Sequence, residues 1–340
     1  MKPTTMTSRI HSSIPQAGFS LVELMVALLI SLFLIAGVIQ VFLGSKQTYT
    51  LNEGVARLQE NVRYAFDRIS ADLSAAGYMG CNDSSDTNAE GNLVIVNALT
   101  DDTSTQYNFT NPIDGTENAG PNGSDILSIR RAMTASSVPL ADAMGSASSD
   151  IQLDSSHPNY GTLQQWDIIA LSDCASTSIF MITNDPTTSG GLLEHATGVV
   201  APATSPNVGQ SNATTTIAGV DHNDLQAHYG SDEASAATST RVTTRTYAIQ
   251  PSQFGTGNSL YMNGDELVEG VDNLQVLYGV DNDGTPGVDQ YVTANDAALT
   301  DMNQVAAVRV SLTLNTVSGI QVEGQAVEKT VTQTFRLRNR

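Results

Sequence analysis

Residues 19–43, FSLVELMVALLISLFLIAGVIQVFL, form an apolar run of 25 residues interrupted by one charge, Glu23. As a helix rising about 1.5 Å per residue, the run is long enough to cross the roughly 30 Å hydrocarbon core of a bilayer. A carboxylate inside such a run costs about 2.5–3.5 kcal/mol on insertion scales, and intramembrane acids usually serve a function. Whatever fold the chain adopts must place this segment in lipid or bury it, and must account for Glu23.

Three readings compete. A secretory signal has a short apolar core followed by a small-residue cleavage site. Here the small pair Ala17-Gly18 precedes the run, and the run is too long. A plain membrane anchor accepts the length but leaves Glu23 unexplained. The third reading is a cut between Gly18 and Phe19 that keeps the apolar segment on the mature chain. Phe19 then carries a free α-amino group four residues before Glu23, about one helical turn away. In a bundle of such helices each Glu23 can meet a neighbour's Phe19 amine, and a paired charge is far cheaper to bury than a lone one.

The stretch GFSLVELMVALLISLFLIAGV resembles the N-terminal signal of type IV prepilins: Gly before the cut, Phe after it, Glu at mature position five, then unbroken apolar sequence. The resemblance implies that prepilin peptidase cleaves after Gly18 and that Phe19 is N-methylated. It also makes Glu23 an assembly contact. The leader, residues 1–18, carries Lys2 and Arg9 and no acid, which favours its retention on the cytoplasmic side.

Beyond the run, Val55, Leu58, Val62, Phe66, Ile69 and Leu73 recur at spacings of three and four, with Arg57, Glu60, Arg63, Asp67 and Asp72 between them. This predicts an amphipathic helix over residues 44–77, continuous with the apolar one and stopped by Gly77 and Gly80. Gly37, Gly44 and Gly54 are candidate bends. After residue 78 the text changes to short strands between turn residues: NLVIVNAL, DILSIRR, DIQL, WDIIALS and SIFMITN. The last two predict a hairpin with Cys174 in its connection. Residues 185–240, rich in Thr, Ser, Ala, Gly and Asn, read as long loops with one strand at Ala213–Ile217. Period-two alternation then places Leu274, Val276, Tyr278 and Val280 on one face. The same holds for Val308, Val310, Leu312 and Leu314, and for Val331 and Phe335 with Leu337. The predicted fold class is α+β: a long N-terminal helix packed on an antiparallel β-sheet head with long loops.

The segment LVEGVDNLQVLYGVDNDGTPGVDQYV, the following VAAVRVSLTL, and WDIIALSDCAS resemble the PilW family of minor pilins and, more distantly, J-type pseudopilins of type II secretion. The resemblance implies a low-abundance subunit acting in pilus assembly or initiation within a complex of minor pilins. Its implied partners are other minor pilins, the major pilin, prepilin peptidase and the inner-membrane assembly machinery. It implies a single-pass inner-membrane location with residues 78–340 periplasmic, followed by incorporation in the pilus.

Composition agrees with an exported head. Acids outnumber Lys and Arg 35 to 15, for a net charge of −20, which disfavours direct nucleic-acid binding, whose affinity comes from basic contacts to phosphates. In an oxidising compartment the two cysteines, Cys81 and Cys174, are expected to form a disulfide. In DNDGTPGVD, Asp281, Asp283 and Asp289 alternate around glycines. Calcium loops gather carboxylates in this way, and so does a plain Asp/Asn/Gly turn between two strands. No cofactor is required; calcium is the one metal the pattern suggests. Histidines 157, 195, 222 and 228 sit in loop-like text, no Walker loop, nucleophile elbow or C-x-x-C occurs, and the reading is not an enzyme. Besides the pseudopilin, the alternative function is a membrane-tethered, calcium-dependent adhesive or binding protein.

Overall fold

The computed structural model describes residues 18–82, 94–146, 149–173, 175–213, 216–217, 220–221, 225, 229–230, 237–282, 287–316, 321–322 and 325–339. The chain divides into two compact units, Met1–Glu53 and Gly54–Arg340. One helix, α1, covers Leu21–Ser74, and it runs unbroken through Gly37, Gly44 and Gly54, where bends were considered.

In the first unit the helix carries apolar side chains on every face, and its large hydrophobic residues from Leu21 to Leu43 are all exposed. It is long and apolar enough to cross a membrane. Inside the apolar run the Ser31 hydroxyl donates to Leu28 O at 2.9 Å, so this polar group needs no water.

In the second unit the helix becomes amphipathic as the spacing predicts. Leu58, Phe66, Ile69 and Leu73 are buried, Val62 is partly so, and Arg57, Glu60, Arg63 and Asp67 face solvent. Asp72 departs from the expectation: read as a solvent-side residue, it is 1% exposed, for a reason given below. The helix stops two residues before Ala76. Gly77 then adopts φ +76°, and a Cβ there would overlap the carbonyl of Asn339, so only glycine fits this turn.

The head begins with β1 (Ile95–Asn97), β2 (Ile113–Thr116), β3 (Ile126–Ala132), β4 (Val138–Pro139) and β5 (Ile151–Gln152). Next come β6 (Ile168–Ser172), β7 (Thr177–Met181), β8 (Leu192–Leu193), β9 (Thr216–Ile217) and β10 (Val220–Asp221). The C-terminal part holds β11 (Thr238–Pro251), β12 (Asn258–Met262), β13 (Asp265–Glu269), β14 (Val271–Val280) and β15 (Gln290–Val292). The last strands are β16 (Val305–Asn315), β17 (Gln321–Val322), β18 (Gln325–Ala326) and β19 (Glu328–Arg336).

Two sheets dominate. One has the order β1-β7-β6-β11-β12-β13, with β3 and β4 also pairing β11 and β2 pairing β3. The other is β15-β14-β16-β19. Among the described residues the paired strands are antiparallel except β1 with β7, which is parallel, a departure from the all-antiparallel expectation. β6 and β7 form the predicted hairpin, with Ser172 opposite Thr177. Both of its faces are buried, Ile169, Leu171 and Phe180 in one cluster and Ile168, Ala170, Ile179 and Met181 in another.

The largest core holds the helix stripe together with Leu127, Ile129, Tyr247 and Ile249 of the first sheet. From the second sheet it takes Leu274, Val276, Tyr278, Val280, Val308, Val310, Leu312 and Leu314. The alternation read from the sequence therefore marks the inward face in each case. Phe335 meets Phe66 with ring centroids 6.2 Å apart, within the range of favourable aromatic pairs.

Of the strand expected at Ala213–Ile217, the described residues show β9, which pairs with β10. Several short strands, together with β11, the longest at 14 residues, and the β12–β13 hairpin, have no counterpart in the sequence reading. Alternating Thr and Arg in TSTRVTTRTYAIQP conceal β11, whose flanks carry polar groups on both faces. The hairpin had a legible signal, Asn263-Gly264, which takes the two positive φ values, 53° and 85°, that a tight two-residue turn requires.

Candidate assembly segment

The predicted cleavage site stands at the very start of the ordered helix. Gly18, Phe19 and Ser20 precede the first helical residue, and the amide of Leu24 closes the first turn on Ser20 O at 3.1 Å. No heavy atom lies within 4 Å of a Cβ built on Gly18, and Phe19 is 83% exposed. Nothing among the described residues covers the Gly18–Phe19 bond. Glu23 falls in the first turn of α1, where unpaired amides and the helix dipole favour a negative side chain. The local fold thus gives Glu23 a compatible position even before a partner is considered.

Cys81 follows Gly80 in the turn after the helix. Its amide donates to the Ser172 hydroxyl at 3.4 Å, and Ser172 ends β6 two residues before Cys174. Cys174 lies outside the described residues, and no cysteine among those described is free. Of the acidic loop, Asp283 lies outside the described residues. The Asp289 carboxylate accepts the amide of Asn282 at 2.7 Å, and its amide donates to Val280 O at 2.9 Å. The loop ends are therefore closed by turn hydrogen bonds between β14 and β15. No group of three metal-ligating side chains occurs among the described residues.

His195 departs from the reading of solvated loop histidines. It is 5% exposed, lies at hydrogen-bonding distance, 2.9 Å, from Ser149 O through Nε2, and packs edge-on against Phe180. It is a packed core residue. The Nδ1 of His157 accepts the amide of Asn159 at 3.2 Å; His222 and His228 lie outside the described residues.

Two stretches of this architecture match known families. Residues 15–39, which span the Gly18–Phe19 bond, Glu23 and the first half of the apolar helix, match the prokaryotic N-terminal methylation motif. With an apolar helix ahead of a β-rich head, this segment is similar to the N-terminal region of type IV pilins. Residues 244–339, from the middle of β11 through β19, match the family described as type IV pilus-assembly protein W, so this part of the chain is similar to that family. No curated protein and no solved structure matches the chain.

Proposed function

We propose that the chain is a minor pilin that takes part in assembly or initiation of a type IV pilus within a complex of minor pilins. In this reading prepilin peptidase cuts between Gly18 and Phe19, Phe19 is N-methylated, and Glu23 contacts the Phe19 amine of a neighbouring subunit. Residues 78–340 stand in the periplasm, held by an inner-membrane helix, until the subunit enters the pilus beside the major pilin. Cys81 and Cys174 close a disulfide there. The reading leaves no role for catalysis.

The observation that carries the proposal is the coincidence, in one chain, of the methylation motif at residues 15–39 and the PilW match at residues 244–339, with an exposed apolar helix beginning at the predicted cut. An isolated adhesive domain would need neither an open Gly18–Phe19 bond nor an acid in the first helical turn.

The test is to extract the protein from membranes in detergent, sequence its N-terminus and identify what co-purifies. Mature chain starting at N-methylated Phe19, in company with other pilins, is expected. An N-terminus at Met1, or one beyond Leu43, overturns the processing step; mature chain without any other pilin overturns the assembly role.

A further inference from the structure

The first sheet has a notch. Along one edge β11 pairs with β6 through Thr238–Arg241 and with β12 through Tyr247–Pro251. No described strand pairs with the residues between them on that edge, although β3 accompanies Val242–Tyr247 on the other. The Asn263 side chain closes one end, accepting the amide of Thr246 at 2.7 Å and donating to Thr244 O at 3.0 Å. The rest of the notch is a cavity of about 300 Å³.

Its walls combine charge with aromatic surface: Arg241, Arg245, Asp167, Tyr107 and Phe109 all line it. The two arginines are not equivalent. Arg241 Nη1 lies 3.7 Å from Asp167 Oδ2, which also accepts the amide of Gln164 at 2.9 Å. Burial pushes the Asp167 carboxyl up, and the Gln164 amide and Arg241 pull it partly back. Arg245 has no such partner among the described residues, and its Nε is buried without a hydrogen bond. The site holds one more cation than anion, while the chain as a whole stands at −20.

We propose that this notch binds a small ring-bearing organic anion of the sugar-acid class, with its carboxylate on Arg245 and its ring against the edge of Tyr107. Guanidinium presents a planar fork of donors that matches a carboxylate. The cavity stands at the lower end of the size range for small-molecule sites, and polar side chains make up most of its lining. A bare inorganic anion would satisfy Arg245 but leave the aromatic wall unused. The site is independent of the processing and assembly reading above, since every residue in it belongs to the head.

The test uses the full-length protein in detergent, with thermal unfolding followed against D-glucuronate, D-glucose and inorganic phosphate. Stabilisation by ligand rises with concentration over Kd, so glucuronate is expected to raise Tm in a saturating manner, phosphate more weakly, and glucose not at all. Arg245→Gln should weaken glucuronate binding about tenfold or more, the loss of one charged contact of roughly 1.4 kcal/mol, with Arg245→Lys intermediate. The ligand-free Tm of both variants is measured alongside, so that each response to ligand is read against that variant's own baseline. Equal responses to glucose and glucuronate, a phosphate response as strong as that to glucuronate, an unaltered response in Arg245→Gln, or no response to any of the three would each overturn the proposal.

Discussion

At the scale of single residues, the helix is joined to the head by one buried acid. Asp72 accepts a hydrogen bond from the Tyr247 hydroxyl at 2.6 Å and faces Arg131, whose Nε lies 2.9 Å from Oδ1. The Arg131 contact is off the N–H axis, so it is an ion pair more than a directed hydrogen bond. Removing one member of a buried pair leaves the other uncompensated, and Asp72→Ala should cost about 3–5 kcal/mol. Asp72→Asn keeps an acceptor for Tyr247 and should cost less; denaturant unfolding of the two variants checks the order. Helical periodicity places position 72 beside the apolar stripe, but nothing in the local sequence announces its partners, 59 and 175 residues away in Arg131 and Tyr247. A second prediction concerns pH. Tyr229, Tyr247 and Tyr278 are buried, and burial, first among the causes, raises all three phenols well above their ordinary value near 10. Their neutral forms are the folded ones. Stability from this source is complete below about pH 10, where unfolded tyrosine begins to ionise, and is lost above it. With three groups the slope approaches about 4 kcal/mol per pH unit. Phenolate absorbance during alkaline titration should show these tyrosines ionising only together with unfolding; early, unfolding-free ionisation of all ten tyrosines would contradict it.

At the scale of elements, α1 serves two environments with one continuous backbone, and the sequence announced both. Apolar residues on all faces up to Leu43 and the three-four spacing from Val55 to Leu73 each correspond to a different solvent. The strands β14 and β16 were equally legible, because each has one face on the core and one in water. β11 was not, because it bridges separate hydrophobic clusters and carries polar or charged groups where its partners change from β6 to β12. The arginine-lined notch falls at that change, so the feature that hid the strand is the one that makes the cavity. In the proposed function the constraint on the N-terminal segment comes from processing and lipid, which act on contiguous residues. The helix also supplies the third prediction. Glu23→Ala removes a charge from the apolar run, so membrane insertion should be unimpaired or improved, while recovery of complexes with other pilins should fall. Membrane fractionation combined with co-purification reads both; complexes recovered at the parental level would deny Glu23 its assembly role.

At the scale of the whole molecule, the proposed Cys81–Cys174 bridge would tie the turn after the helix to the β6–β7 hairpin. Closing a loop of more than ninety residues is worth about 4–5 kcal/mol in the chain-entropy model. Alkylation of native protein without reductant, followed by mass spectrometry, should leave both thiols unmodified, and Cys174→Ser should lower Tm; two alkylated cysteines would rule the bridge out. The way the helix stripe is covered has a consequence in time. Leu58, Phe66, Ile69 and Leu73 share a core with β14, β16 and Leu337, residues that a ribosome adds some 200–280 positions later. At about 5–20 residues per second, the first helix waits roughly 10–60 s for the strands that cover it. Through that interval an amphipathic segment follows a membrane helix with its apolar side uncovered, so the nascent chain needs a temporary shield, a chaperone or the bilayer surface itself, until the carboxyl end arrives.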